Sequence, residues 1–246
     1  MKWVRIKFYL LLLLLCDPIS IAIGAQTVAA DWRSAPRESS LIAPRPETTP
    51  GAVVQVYSAR AFSSRGIFAV HTWISLKPRY AKKYTVYEVI GWHILKGDSG
   101  IKIHQNEPDR YWYGVRPKVL SDLRGAEATE AIKSIRAVAA AYPYANTYTT
   151  WPRPNSNTFT AFLVRHVPEL NTDLPPLAIG KDFLPRGKIL GRVPSGTGIQ
   201  ISILGVLGIL ISADEGIEFN LLTLSFGIDP GDLAIRLPVI GKIGLL

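Results

Sequence analysis

The chain has 246 residues, of which 48% are hydrophobic and 19% are charged. A chain that is disordered throughout is excluded, because disordered chains lack the apolar residues that build a core. The length suits one globular domain with appendages. A single cysteine excludes an intrachain disulfide and a thiolate zinc cluster.

The net charge is +9, with 28 basic and 19 acidic residues. A basic protein can attract nucleic acid, anionic lipid or wall polymers. Acidic residues are interspersed with the basic ones, and the sequence holds no zinc-finger or RNA-binding motif. We therefore expect a mixed, solvated surface and no nucleic acid as a partner.

Residues 1–30 predict an export signal. The start is basic, with Lys2, Arg5 and Lys7, and the apolar stretch at 8–25 contains six consecutive leucines. This layout is typical of a signal peptide. An uncleaved membrane anchor is the alternative, although the stretch is barely long enough to span a bilayer of about 30 Å. Either interpretation carries the body across the inner membrane. It predicts an envelope protein, periplasmic or anchored to the inner membrane, with the membrane as a partner.

The remaining sequence divides into three parts by composition. Residues 31–50 contain four prolines and few large apolar residues, which predicts an extended linker. Residues 51–190 carry strand-like and helix-like patterns, which predict an α+β core domain. Residues 191–246 are rich in glycine, isoleucine and leucine, which predicts a β tail.

The core domain is predicted to combine an antiparallel sheet with packed helices. β-Branched and aromatic residues alternate with smaller or polar ones in four strand-like segments. These segments are 52–57, 68–76, 84–95 and 101–104. Apolar residues at three- and four-residue spacings predict helices at 126–142 and 158–167. Asn155 and Ser156 lie where the second helix needs an N-cap.

The tail has a different pattern. Isoleucine and leucine alternate irregularly with glycine over 199–211, a turn is predicted at 213–216, and strands are predicted at 217–226 and 233–237. We interpret the tail as a small β-meander packed on the core domain, and the alternative is a membrane-surface element. A transmembrane helix is not expected, because the first apolar run is too short and its glycines weaken a helix.

Two features could carry chemistry. His71 lies inside a predicted strand, where a histidine is either a general base or a hydrogen-bonded core residue. Ser156 lies between Asn155 and Asn157 at the start of the second helix, where free N–H groups and the helix dipole can stabilise an anionic nucleophile or an oxyanion. The alternative is that these side chains only cap the helix. We predict that His71 and Ser156 share one cleft.

Other residues could complete this site. If the strand of Glu88 pairs with that of His71, Glu88 could orient the imidazole, and the alternative is an exposed salt bridge. Trp73, Trp92, Trp112 and Trp151 could line a cleft, or they could belong to the core. Trp73 and Trp151, together with Asn155 and Asn157, are the candidate binding residues.

Two pairs of adjacent charges also stand out. Asp109 and Arg110 predict an internal ion pair that fixes a loop. Lys181 and Asp182 follow a glycine and could bind an anionic group or simply end a loop.

The site segments resemble a known enzyme group. Residues 155–165 are similar to the Asn-Cys-x-x-Phe helix of the lecithin retinol acyltransferase and permuted NlpC-type peptidase group, and residues 71–74 are similar to the strand that carries the histidine of that group. The resemblance implies a circularly permuted papain-like core and an acyl-transfer or hydrolytic activity. Ser156 stands where the group has cysteine, and a serine hydroxyl needs a well-placed base throughout the reaction.

A second resemblance covers nearly the whole body. The agreeing segments are 53–74, 87–92, 108–112, 142–144, 151–159, 174–182 and 227–230. In this order they resemble the bacterial family DUF3750. The resemblance implies a membrane-associated or exported bacterial protein, and it supplies no established activity.

Two functions from different classes remain open. The first is an envelope hydrolase or acyltransferase acting on wall or lipid material, with Ser156 as nucleophile, His71 as general base and Glu88 or another polar group as the orienting group. The second is a non-catalytic binding or structural envelope protein on the same fold, with the cleft kept for a cell-wall or lipid ligand. Neither function is expected to need a metal or a cofactor, and the oligomeric state stays open.

Overall fold

The computed structural model of the protein describes residues 31–244, so the predicted export signal at 1–30 lies outside the described residues. Between residues 31 and 244, three α-helices and two antiparallel sheets form an α+β fold with a C-terminal β-meander, which confirms the predicted fold class. Across the same residues, no helix combines the length and the apolar character that a membrane span needs.

The first sheet has five antiparallel strands in the order β4-β3-β2-β1-β5. They are β1 (Val53–Arg60), β2 (Val70–Lys77), β3 (Thr85–Val89), β4 (Ile101–Gln105) and β5 (Lys118–Arg124). Every residue of β2 is buried, because this strand lies at the centre of the sheet and both of its faces are covered. The central strand is the one that carries His71.

Two helices pack on the first sheet. The helices of the described chain are α1 (Gly91–Ile94), α2 (Gly125–Ala140) and α3 (Ser156–His166). The helix α2 contacts β1 and β5, and α3 contacts β2 and β3. Ile135 of α2 and Phe159 and Leu163 of α3 are fully buried in the main core, because the apolar side of each helix faces the sheet.

Two parts of the strand prediction differ from the structure. The strand predicted at 84–95 ends at Val89, and α1 follows, because the pairing of β3 with β4 ends where Val89 meets Ile101. The sequence pattern does not predict β5, because this edge strand is largely exposed and its apolar alternation is weak.

Part of the segment predicted as an extended linker, 31–50, lies against the core domain. The carboxylate of Asp109 accepts hydrogen bonds from the backbone N–H groups of Ile42 (2.6 Å) and Ala43 (2.9 Å). The predicted ion pair between Asp109 and Arg110 is wrong, because Arg110 binds a glutamate of β3 instead.

The second sheet is a seven-stranded antiparallel meander in which consecutive strands lie side by side. Its strands are β6 (Leu190–Arg192), β7 (Gly198–Ile203), β8 (Leu207–Ser212), β9 (Gly216–Leu221), β10 (Leu224–Asp229), β11 (Ala234–Leu237) and β12 (Gly241–Gly244). The single strand predicted at 217–226 is two strands. Leu222 and Thr223 have positive φ angles of 53° and 69°, which suit a tight hairpin turn.

The meander packs on the core domain through its polar face. Gln200, Glu218 and Arg236 are buried there. Lys181 donates to Asp182 at 2.9 Å and to Glu218 at 2.7 Å. Burial alone would lower the pKa of Lys181, but the two carboxylates raise it above its ordinary value. An external anion has no access to this lysine, because its side chain is 1% exposed and is already neutralised within the protein.

Lys181→Met should lower the free energy of unfolding by about 3–5 kcal/mol, because it leaves Asp182 and Glu218 buried without the lysine that they share. Lys133→Met is the matched control. It removes the same charge from a side chain that is 68% exposed and paired with Glu130, and it should cost less than about 1 kcal/mol. Urea unfolding followed by tryptophan fluorescence measures both variants. Equal losses would contradict a stabilising role for the buried charges.

Candidate functional site

The side chain of Asn157 joins the start of α3 to β2. Its amide nitrogen donates to the carbonyl oxygens of Val70 and Ile179, each at 3.0 Å, and its amide oxygen accepts from the Thr72 hydroxyl at 3.0 Å. Val70 and Thr72 flank His71, so these bonds hold the helix start beside the histidine. The sequence suggests Asn157 as a binding residue. In the structure, its polar side-chain atoms instead hold the start of α3 against β2.

Asn155, rather than Ser156, caps α3. The side chain of Asn155 accepts the N–H groups of Asn157 (3.0 Å) and Thr158 (3.1 Å), and Thr158 completes a capping box. Ser156 is the first residue of the helix. Within residues 31–244, neither its hydroxyl nor its backbone N–H has a hydrogen-bond partner. Both groups can therefore bind a ligand at the positive end of the helix dipole.

His71 and Ser156 line the same cavity, which has a volume of about 380 Å³. Asn155, Asn157 and Trp151 border it as well. Most of the remaining wall is apolar or aromatic, and its other aromatic residues are Phe62, Phe68, Trp92, Trp112, Tyr113 and Tyr148. A cavity of this size accommodates a small ligand or one apolar part of a larger molecule.

Trp73, which the sequence suggests as a binding residue, lies in the core instead. Its side chain is fully buried, and its indole N–H donates to the carbonyl oxygen of Pro108 at 2.8 Å. The ring stacks on Tyr57 with a centroid distance of 5.5 Å, and its centroid is 5.7 Å from that of His71. Residues two apart in a strand share a face, so Trp73 supports the histidine ring without lining the cavity.

Glu88 is the centre of a buried polar cluster. Its carboxylate accepts hydrogen bonds from Nε2 of His71 (3.1 Å), Nε2 of His104 (2.9 Å) and Nη2 of Arg110 (2.7 and 2.8 Å). The antiparallel pairing of β2 with β3 brings Glu88 to His71. Glu88 is 1% exposed, which excludes the alternative of an exposed salt bridge.

Burial and the charges in this cluster together determine the protonation of His71. Burial alone would raise the pKa of Glu88, but the hydrogen bonds from His104 and His71 and the charge of Arg110 lower it well below its ordinary value. Burial lowers the pKa of His71, and the opposing effect of Glu88 does not offset it. An ionised carboxylate only accepts hydrogen bonds, so Nε2 of His71 carries the proton. Nδ1 of the neutral ring is therefore the nitrogen that can act as a base.

Sequence reasoning missed the roles of His104 and Arg110. Both meet Glu88, but the meeting depends on the register of β4 against β3 and on the loop after β4. Trp112 also contacts the site, because its ring stacks on that of His71 at 3.7 Å with an angle of 13° between the planes. The aromatic contact and Glu88 together fix the orientation of the imidazole.

The contacts of Arg110 are relevant to whether the side chains around Glu88 could hold a metal ion. In the chain from 31 to 244, no group of three or more His, Cys, Asp or Glu side chains is arranged to hold a metal ion. The guanidinium of Arg110 already neutralises Glu88, and both histidines donate from Nε2 toward its carboxylate. These contacts stabilise the carboxylate of Glu88 and orient the imidazole of His71.

Gly180→Ala should disturb the start of α3. Gly180 has a φ of +94°, and a Cβ there would lie 2.7 Å from Oγ1 of Thr158 and 2.9 Å from the side chain of Asn155. Gly187→Ala is the control, because Gly187 has a φ of +72° with open space around it. The control should cost about 1–2 kcal/mol for the left-handed backbone, and Gly180→Ala should cost more. Thermal unfolding tests this, and equal losses would contradict the close packing.

Glu88→Gln should destabilise the protein most at neutral pH, because it leaves Arg110 buried without its counter-charge. The pKa of Glu88 is lowered in the folded state, so its stabilisation is fully present above the unfolded pKa of about 4.3 and is lost as the pH falls below that value. The difference in free energy of unfolding between wild type and Glu88→Gln should therefore shrink in acid.

Urea unfolding at a series of pH values measures this difference. The control is Glu130→Gln, because the side chain of Glu130 is 62% exposed, and its difference from wild type should stay small at every pH. A difference for Glu88→Gln that stays constant down to about pH 3 would show that Glu88 is not held ionised by its partners.

Comparison with known proteins identifies the family of the chain. No curated protein and no solved structure matches it. A family model described as "Protein of unknown function (DUF3750)" matches residues 51–183. This range contains the first sheet, the three helices and the residues that hold Glu88 and cap α3. Because the match covers more than half of the sequence, the chain belongs to the DUF3750 family.

Proposed function

We propose that the protein is an exported, membrane-associated envelope protein whose papain-like core domain acts as a hydrolase or acyltransferase. One observation carries the catalytic part of the proposal. A neutral His71, bound through Nε2 to an ionised Glu88, lines the same cavity as Ser156, whose hydroxyl and N–H have no partner within residues 31–244. Base, orienting carboxylate and nucleophile are the three parts that acyl transfer through serine requires.

The reaction would begin with transfer of the Ser156 hydroxyl proton to Nδ1 of His71. As the proton leaves, Oγ attacks the carbonyl carbon of the substrate, and the backbone N–H of Ser156 can donate to the resulting oxyanion. Glu88 stabilises the imidazolium that forms. The imidazolium then protonates the leaving group, and water or another acceptor releases the acyl group from Ser156. The resting structure holds no hydrogen bond between Ser156 and His71, so bound substrate must complete this geometry.

The walls of the cavity support an apolar acyl group as the part of the substrate that binds here. Trp92, Trp112, Trp151 and Leu222 are among the apolar residues around the site. Such walls exclude water and bind hydrocarbon, whereas polar groups near His71 and Ser156 can hold the reacting carbonyl. Acylated wall or lipid material of the envelope fits this combination.

The start of the chain supports the export part of the proposal. Residues 1–30 combine a basic beginning with an apolar, leucine-rich stretch, which is the pattern of a secretory signal or a membrane anchor. The body would then lie on the far side of the inner membrane, in the compartment that contains wall polymers and the outer surface of that membrane.

A non-catalytic binding protein is the second candidate. It is favoured by the use of Asn155 and Asn157 in capping and anchoring α3, and by the missing hydrogen bond between Ser156 and His71. In this candidate, the cavity holds an apolar ligand, and the cluster around Glu88 only stabilises the sheet.

A fluorophosphonate probe distinguishes the two candidates. For a catalytic site, the probe should label the wild-type chain but not Ser156→Ala. His71→Ala should slow labelling by about 10²–10⁴-fold, because the nucleophile has lost its base. Ser99→Ala is the control, because Ser99 is an exposed serine outside the cavity and its loss should not change labelling.

Circular dichroism of each variant separates a folding defect from a lost reaction. The catalytic proposal would be overturned if the folded wild-type chain is not labelled by the probe but binds a fluorescent fatty acid without any chemical reaction. That result would favour the binding protein. Labelling that persists in Ser156→Ala would show that another residue is the nucleophile.

A further inference from the structure

The outward face of the meander is a continuous apolar surface, which we call the apolar sheet face. One cross-strand row runs from Ile199 on β7 to Ile243 on β12, and isoleucine occupies all six of its positions. A neighbouring row runs from Ile201 on β7 through Phe219 to Phe226 on β10. Ile199 is 62% exposed and Phe219 is 56% exposed.

This arrangement is the reverse of a sheet that lies on the surface of a water-soluble domain. In such a sheet, the apolar face packs on the core and the polar face meets water. Here the face with Gln200, Glu218 and Arg236 is buried against the core domain, and the isoleucine rows point outward. The core domain therefore does not use the apolar sheet face, and this face needs another partner.

The area of the face also points to a partner. Seven strands span about 29 Å across the sheet, and strands of six residues extend about 20 Å. The outer strands are shorter, so the apolar sheet face lies within the range of about 300–600 Å² that the largest apolar patch of a soluble monomer covers, and such a patch is often a functional surface.

The chemistry of the face favours hydrocarbon over protein. Protein interfaces are enriched in tyrosine, tryptophan, methionine and arginine, and they carry a hydrogen bond for about every 100–200 Å². The rows of the apolar sheet face are isoleucine, leucine and phenylalanine, which offer no side-chain hydrogen bonds. Arg192 faces outward only at the edge strand β6, where its long side chain can reach the headgroup level.

The backbone of the meander also suits a hydrocarbon environment. Each interior strand pairs on both sides, so its N–H and C=O groups are satisfied within the sheet. The two edges are short, with three residues in β6 and four in β12. The sheet can therefore enter an apolar layer without leaving long rows of unpaired polar groups.

The cavity and the apolar sheet face are adjacent. The turn between β9 and β10 contributes Leu222 and Leu224 to the wall of the cavity, and Leu224 also begins β10. The indole N–H of Trp151 donates to the Thr223 hydroxyl at 2.7 Å and fixes this turn against the site. We propose that the apolar sheet face docks on the acyl-chain region of one leaflet of a phospholipid bilayer. This docking does not depend on catalysis by Ser156.

Site-specific quenching in vesicles tests the proposal. Phe219→Cys is introduced into the full chain in a Cys16→Ser background, because Cys16 is the single native cysteine. The protein is labelled with an environment-sensitive fluorophore and reconstituted into phosphatidylcholine vesicles. Ile201→Cys provides a second position on the face, and Lys133→Cys on α2 provides an exposed control. Doxyl groups on the lipid acyl chains and iodide on both sides of the membrane are the two quenchers.

We expect doxyl lipids to quench the label at 219 and 201 at least several-fold more than the label at 133, and iodide to show the opposite order. Quenching by iodide at all three positions would overturn the proposal, because the face would then lie in water. Protection from both quenchers at 219 and 201 would overturn it as well. In that case, energy transfer between labels on different molecules would identify a second copy as the occupant, and its absence would identify another segment of the same chain.

Discussion

The burial of the Glu88 carboxylate is the constraint on which the site depends. Taking a charge out of water costs several kcal/mol, and the cost is offset only if hydrogen-bond donors surround the charge. His71, His104 and Arg110 supply these donors from β2, from β4 and from the loop that follows it. The three elements must therefore converge at one point. The same contacts orient the imidazole of His71, and the ionised carboxylate places its proton on Nε2.

The start of α3 is held by a second set of contacts that is independent of Glu88. Asn157 binds the backbone on one side of His71 and a hydroxyl on the other, so the helix cannot shift along β2 without losing buried hydrogen bonds. Asn155 accepts the N–H groups of Asn157 and Thr158 and leaves that of Ser156 available. Capping therefore contributes to the site, because the cap decides which N–H group remains for a ligand.

The two sheets contact the rest of the protein through different kinds of side chain. The central strand of the first sheet is buried on both faces, and its core is formed by apolar packing with α2 and α3. The meander instead meets the core domain through Lys181 and Arg236, whose charges are neutralised by Asp173, Asp182 and Glu218. Because the polar face makes this contact, the isoleucine rows on the other face lie outside the core. The β9–β10 turn joins the two regions, because it belongs both to the meander and to the wall of the cavity.

By itself, the sequence determined the α+β class, the strand of His71 and the position of Ser156 at a helix start. It also predicted both ends of each long helix to within two residues. These features depend on local periodicity and on turn and capping residues, which neighbouring positions encode. Only the tertiary structure decided that β3 ends at Val89, that Trp73 lies behind the cavity, that Glu88 meets two histidines and an arginine, and that the meander turns its polar face inward. Those outcomes depend on strand register and on which face of a sheet meets another layer. Local spacing leaves both undetermined, because an alternating strand offers the same two faces whichever of them is buried.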